Sequence, residues 1–343
     1  MTFSVVQQQD LKSLNTLALP ASAEYFARIE SVPDLQQAIQ WANEKQLQIT
    51  LLGGGSNIVL ASDIPGLVLK VAINGVELIS EDDRQVLIRV GAGEDWPRLV
   101  EYTLDNNWYG LENLSLIPGC VGAAPVQNIG AYGVELAKRL HSVEVVCLEN
   151  GTARVLSGDE CEFGYRDSIF KRELRGKVAI TSVTLSLSKK PDLVLTYPAL
   201  QMAAGEVSGQ NLTPKKISEL VCEIRRSKLP DPVSTPNAGS FFKNPVISST
   251  QAKTLRGKFP DMVQYPVSAV EVKLAAGWLI EKAGWKGRQI GDIAVHDRQA
   301  LVLVNRGDGT GQQLLDVAGQ IVDSVKQEFG VKLEMEPRIL PEV

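Results

Sequence analysis

Between Leu116 and Gly133 the chain carries Pro118, Gly119, Gly122, Pro125, Gly130 and Gly133 in a run with neither helical nor strand period. Proline removes a backbone donor and glycine is costly inside a regular element, so this stretch is neither a helix nor a central strand. It is also too long for a mere connector, and loops of that length are functional or disordered. Ile117, Val121, Val126 and Ile129 thread through it and favour an ordered loop. Any fold for this chain has to hold that loop in place.

The segments before it alternate strand and helix. Glu24 to Ile29 reads as a strand, and Pro33 opens a helix with Leu35, Ala38, Ile39 and Ala42 as its apolar stripe. Gln48 to Leu52, Leu67 to Val71 and Val86 to Val90 read as strands. A helix from about Asp95 to Asn106 carries Trp96, Leu99, Val100 and Leu104. After the loop, strands are expected at Ser142 to Leu148 and Ala179 to Leu187, with Asn150-Gly151 as a hairpin turn. Thr213 caps and Pro214 opens a helix with Ile217, Leu220, Val221 and Ile224 on its core face. A domain boundary is expected near residues 190 to 235. Beyond it come a helix at Leu274 to Ala283, a strand at Ala300 to Asn305 and a helix from Gln312 to Phe329. That last helix is expected to bury Leu315, Ala318, Ile321, Val322 and Val325, and Val331 to Glu336 to form a terminal strand. With 343 residues, two or three lobes of α+β or mixed α/β type follow.

The whole-chain balance excludes several functions. Lys and Arg total 35 against 40 Asp and Glu, a net charge of −5, which does not suit a general nucleic-acid binder. No stretch reaches the roughly 20 apolar residues of a membrane span, and the polar N-terminus does not have the order of a secretory signal. The four cysteines are scattered without a Cys-x-x-Cys pair, as free thiols in a reducing cytoplasm. With two histidines, a metal site has little to build on.

Four runs invite chemistry. Gly53-Gly54-Gly55-Ser56-Asn57 follows a strand, where backbone amides can cradle a phosphate; a tight turn is the plainer alternative. It is no dinucleotide fingerprint, since Ile58 stands where a third glycine would, and no P-loop. Phe163-Gly164-Tyr165-Arg166-Asp167-Ser168 offers a guanidinium suited to a carboxylate, or an exposed charged loop. Asn237-Ala238-Gly239-Ser240-Phe241-Phe242-Lys243-Asn244-Pro245 places a serine beside two phenylalanines that would exclude water. No histidine is near it in sequence to make it a nucleophile, but a hydroxyl can protonate a strongly basic carbanion or enolate. Leu333-Glu334-Met335-Glu336-Pro337-Arg338 alternates as a strand would, which also describes a self-neutralising solvated face.

Together with Val90-Gly91-Ala92-Gly93-Glu94-Asp95-Trp96, Ile117-Pro118-Gly119-Cys120-Val121-Gly122 and Gln127-Asn128-Ile129-Gly130-Ala131-Tyr132-Gly133, these runs resemble the UDP-N-acetylenolpyruvoylglucosamine reductase family. They stand in the family's order across nearly the whole chain. Leu195-Thr196-Tyr197 further resembles the tyrosine-bearing insertion of the family's first subtype.

The resemblance implies an α+β fold with a two-lobed FAD-binding unit of the p-cresol methylhydroxylase type and a smaller α+β substrate-binding domain. The implied partition is 1–66 joined by 330–343, then 67–212, then 213–329. It implies FAD contacts at Gly53, Gly54, Gly55, Ser56, Asn57, Gly119, Gly122, Gly130, Tyr132 and Gly133. Ala123-Ala124 departs from members with small hydroxyl residues there, leaving backbone contacts. Tyr197, Lys228, Asn244 and Gln299 match positions that hold the UDP portion. The implied reaction uses NADPH to reduce FAD, then hydride transfer to C3 of the enolpyruvyl ether of UDP-N-acetylglucosamine-enolpyruvate. Arg166 matches the family's carboxylate-stabilising arginine, Glu336 its catalytic glutamate and Ser240 the proton donor to C2. Because a carboxylate would repel the charge developing at C2, Glu336 is expected to be protonated or to act through a hydrogen bond. A cytoplasmic monomer, without nucleic-acid or membrane partners, completes the expectation. A flavin oxidase of the same fold and a non-catalytic flavin or nucleotide-sugar sensor are the rivals.

Overall fold

The computed structural model describes residues 3–207 and 212–342. Residues 208–211, at the edge of the expected second lobe, lie outside the described residues. Interleaved segments build two compact units: unit 1 is Met1–Gln9, Ala23–Gly54 and Pro65–Ser227, and unit 2 is Asp10–Ser22, Gly55–Ile64 and Lys228–Val343. The Gly53–Asn57 run is thus shared, its first two glycines in unit 1 and the rest in unit 2.

Unit 1 contains two sheets. In the first, Ser22–Ile29 and Ile64–Val71 are central, and Ile49–Leu52 pairs in parallel with Ile64–Val71. Helix α1 (Val32–Glu44) begins at Ser31, whose hydroxyl accepts the Asp34 amide, with Pro33 in the first turn. Its stripe of Leu35, Ala38, Ile39 and Ala42 is buried with Leu67 and Leu69 of the sheet. The second sheet is antiparallel, in the order Ala153–Ser157, Leu140–Cys147, Val178–Ser188, Gln85–Gly91, Val76–Glu81. Its first hairpin turns at Asn150-Gly151, with Gly151 at φ +73°. Helix α2 (Trp96–Asp105), capped by Asp95, buries Trp96, Leu99, Val100 and Leu104 in the same core as Ile88, Val90 and Val183. Each such side chain contributes on the order of 1.5–3 kcal/mol. The core explains the order of the long loop: Val121, Ala124 and Ile129 are buried in it too.

Two further helices complete unit 1, α3 (Pro198–Gly205) and α4 (Pro214–Lys228). Thr213 caps α4 by accepting the Lys216 amide at 3.2 Å. Leu200 and Ala204 of α3 form one buried cluster with Ile217, Leu220 and Val221 of α4. Residues 213–227, assigned from sequence to a substrate-binding domain, therefore lie in unit 1.

Unit 2 has a four-stranded antiparallel sheet in the order Asn237–Ser240, Val302–Asn305, Ile293–Val295, Gln289–Ile290. A second sheet joins Val246–Ser248, Glu271–Leu274 and Gln264–Pro266. Its helices are α5 (Ser249–Lys258), α6 (Ala276–Lys282) and α7 (Gly311–Phe329). A capping box at Thr310 and Gln313 starts α7, and Gly330 in the left-handed region ends it. The buried stripe of α7 is Leu314, Val317, Ala318, Ile321, Val325 and Phe329. It corrects the expected register: Leu315 and Val322 sit at the rim.

The expected terminal strand Val331 to Glu336 is also corrected. Only Met335 makes a bridge there, to Phe242, and the terminal strand is Arg338–Leu340, parallel to Ile58–Leu60. Val331 and Leu333 are buried while Lys332 and Glu334 are exposed, so alternating burial against the unit produces the period without a ladder.

Candidate active site

The glycine run after Ile49–Leu52 lies against the long loop within unit 1. A Cβ on Gly54 would come 2.7 Å from the Cα of Gly119, and one on Gly53 2.8 Å from the Cys120 thiol. Gly122 is equally confined, its added Cβ falling 2.5 Å from the Ala92 Cβ, while its amide donates to the Ala92 carbonyl. These glycines let two backbones stack without side chains between them. The Lys70 ammonium donates to the Gly53 carbonyl, and burial lowers its pKa, with the Cys120 thiol acting in the opposite sense. A side-chain-free backbone surface beside a lysine fits the diphosphate of a dinucleotide cofactor, and Lys70 had no sequence signal beyond its strand position. In unit 2 the run continues with Gly55 at φ +68°, where a Cβ would meet the Leu14 carbonyl at 2.0 Å. The Asn57 carbonyl accepts the Arg338 amide at 3.0 Å.

The second feature of unit 1 is a pair of tight turns. Gly130–Ala131 and Val134–Glu135 form a hairpin closed by Tyr132 at φ +48° and Gly133 at φ +87°, the two positive values a two-residue turn of this twist needs. A Cβ on Gly133 would strike the Thr196 hydroxyl at 2.2 Å, so glycine there lets the 194–197 segment close on the turn. Asn113 ties the two together, donating to the carbonyls of Tyr132 at 2.7 Å and Val194 at 2.9 Å. The rings of Tyr132 and Tyr197 then meet edge-on at 4.9 Å. Tyr132 and Gly133, expected at the cofactor, are thus placed beside the tyrosine expected at the substrate.

Arg166 sits at the tip of the other turn, at φ +54°, where Gly164 and Asp167 exchange backbone hydrogen bonds at 3.0 and 3.3 Å. Asn128 donates to the Gly164 carbonyl at 3.1 Å, and the buried Ser168 hydroxyl donates to Val126 at 2.6 Å. Asp167 is taken up by an ion pair with Arg172. The Arg166 guanidinium lies 3.7 Å from where a Gly130 Cβ would stand. A second guanidinium, Arg225 of α4, lies beside Tyr132 and donates to the Leu116 carbonyl at 3.2 Å. Burial lowers its pKa, and Arg166 repels it. The fold brings these two cations into one neighbourhood, an arrangement that suits anionic ligand groups.

In unit 2, Ser240 ends the strand Asn237–Ser240 next to a bulge. Gly239 before it has φ +67° and open space where a Cβ would be, and its amide donates to the Asn237 side chain at 2.8 Å. Phe241 and Phe242 are fully buried and anchor the chain while the serine stays exposed. Glu336 is held next to them, its amide donating to the Phe241 carbonyl at 2.9 Å. Structure thus brings Ser240 and Glu336 onto adjoining backbone. Lys243 pairs with Glu334.

Asn244 and Gln299 converge on the first turn of α6. The Asn244 side chain accepts the Ala276 amide at 2.9 Å, and a Cβ on Gly277 would stand 3.2 Å from the Gln299 Oε1. Lys228 is exposed where α4 ends. Among the described residues no helix is long and apolar enough to cross a membrane, and no cluster of ligating side chains could hold a metal.

Comparison with known proteins follows this division. Residues 231–340 match the family described as UDP-N-acetylenolpyruvoylglucosamine reductase, C-terminal domain, and residues 23–157 match the FAD binding domain family. The UDP-N-acetylenolpyruvoylglucosamine reductase of Chromobacterium violaceum is 47% identical over 99% of this chain and 100% of its own length. That of Alcanivorax borkumensis is 45% identical over 99% of this chain and 97% of its own. Among solved structures, the UDP-N-acetylenolpyruvylglucosamine reductase of Thermus caldophilus is 25% identical with a TM-score of 0.68, covering 99% of this chain and 100% of that one. The fold is accordingly an α+β one with an FAD-binding unit of the p-cresol methylhydroxylase type.

Proposed function

Because this chain belongs to the UDP-N-acetylenolpyruvoylglucosamine reductase family, we propose that it reduces the enolpyruvyl ether of UDP-N-acetylglucosamine-enolpyruvate with NADPH as reductant. It is an FAD-containing oxidoreductase of peptidoglycan precursor synthesis. The chemistry that bound FAD supplies is hydride delivery to C3 of the enolpyruvyl group. Gly53, Gly54, Gly119 and Gly122 hold its diphosphate by backbone, with Lys70 as nearby countercharge. Gly55, Ser56, Asn57 and Gly130 complete the cofactor contacts, and Tyr132 and Gly133 shape the neighbouring turn.

The protein's own part in the reaction is electrostatic and protonic. Charge that develops at C2 spreads into the substrate carboxylate, where the fork of Arg166 stabilises it. Glu336 assists either protonated or through a hydrogen bond, so that it does not repel that charge. Ser240 delivers the proton to C2: a hydroxyl is a weak acid, but an enolate is a strong enough base to take its proton. Tyr197, Lys228, Asn244 and Gln299 hold the UDP portion. The protein works as a cytoplasmic monomer.

One observation carries this reading above the rest: Ser240 is exposed on a strand whose next two residues are buried phenylalanines, with the Glu336 backbone bonded to the first of them. It is tested by following flavin absorbance in stopped flow. NADPH should bleach it and the enolpyruvyl sugar nucleotide should restore it. Bleaching by an alcohol substrate would instead indicate an oxidase, and no change with either would indicate a sensor.

A further inference from the structure

The turn 296–301 joins the strands Ile293–Val295 and Val302–Asn305 and carries Gln299. It is closed by backbone bonds from His296 to Val302 at 2.9 Å and from Val302 to Gln299 at 3.0 Å. Within it the Gln299 Oε1 accepts the Leu301 amide at 3.4 Å. At the start of the turn the His296 Nδ1 accepts the Arg298 amide at 3.3 Å. The His296 side chain is 8% exposed, so its polar atoms depend on protein partners.

We propose that His296 is a positioning residue for the UDP site, holding Gln299 in its binding orientation through the bond that its Nδ1 accepts from Arg298. The inference rests on the assignment of Gln299 to the UDP portion. A neutral imidazole that accepts at Nδ1 carries its proton on Nε2, which faces the Asp297 carboxylate at 3.5 Å. Protonation puts a hydrogen on Nδ1 as well. Two donors then face each other, and the bond to Arg298 is lost.

The surroundings set the direction. Burial, Arg298 on the same turn and Arg306 beyond the following strand oppose the cation, while Asp297 favours it; together they lower the His296 pKa below its ordinary value. The neutral, turn-closing form therefore holds at neutral pH and is lost as the pH falls through that lowered pKa. His141, the other histidine, belongs to unit 1.

The test uses the FAD-loaded protein and UDP-N-acetylglucosamine, whose diphosphate diester does not titrate between about pH 5 and 8. Wild-type affinity should fall several-fold from pH 7.5 to 5. His296→Asn, whose side-chain oxygen can accept the same amide without titrating, should bind as wild type does at pH 7.5 and lose its acid dependence. His296→Ala should bind about tenfold more weakly at both. Wild-type affinity in His296→Ala, or an unchanged acid loss in His296→Asn, would overturn the proposal. If Gln299→Ala binds at full strength, the assignment of Gln299 falls instead. Faster amide exchange of 296–302 in His296→Ala than in His296→Asn would still support the role of His296, and equal exchange would refute it.

Discussion

Arg166 has left-handed backbone itself and Ser240 follows a glycine that has it, yet the two places are built in opposite ways. The Arg166 turn is fixed from outside by side chains: Asn128 on Gly164, Ser168 on Val126, Arg172 on Asp167. Around Gly239, by contrast, nothing approaches within 4 Å of where a Cβ would be; Ser240 is placed by backbone pairing and by the phenylalanines that follow. The contrast matches the roles proposed for them. A guanidinium that stabilises developing charge has to be held before the reaction, since reorganisation would cancel the gain. A hydroxyl that gives up a proton and recovers it needs access more than rigidity.

Substitutions can break that comparison. The largest effect is expected of Ser240→Ala, with turnover down about a thousandfold and unfolding temperature unchanged, since general acid catalysis is worth that much and the side chain is exposed. Arg166→Lys comes next, keeping the charge and losing the planar fork; substrate-dependent flavin reoxidation should slow about a hundredfold. Asn128→Ala should cost about 2–3 kcal/mol in chemical denaturation, because three partly buried partners at Glu135, Gly164 and Ala137 lose their bonds together. It should also slow the step that depends on Arg166. The smallest effect is expected of Gly239→Ala, about 1 kcal/mol of backbone strain with no steric clash. A larger loss there would mean that the two turns are equally constrained, and the contrast would fail.

Much of this was legible in the residues. Pro33 and Thr213-Pro214 marked helix starts, because capping chemistry is local. The long loop was readable as ordered from its threaded apolar residues, and Val121 and Ile129 are indeed buried in the core of unit 1. What escaped depended on distant partners. The alternation of Val331 to Glu336 was read as a strand, though it records burial of Val331 and Leu333, with pairing limited to the one bridge between Met335 and Phe242. The stripe of α7 was read one position late at its start, where Leu314 and Leu315 are chemically equal and only packing distinguishes them. Arg225 enters only through the fold, which sets it beside Tyr132 and Arg166. Gly133 looked like a cofactor contact, and Thr196 gives it another reason to be glycine.

The proton-donor role of Ser240 is tested most directly by measuring the two half-reactions of Ser240→Ala separately in stopped flow. Flavin reduction by NADPH should proceed at nearly the wild-type rate, while reoxidation by the enolpyruvyl sugar nucleotide slows about a thousandfold. Equal slowing of both half-reactions, or unimpaired reoxidation, would contradict it.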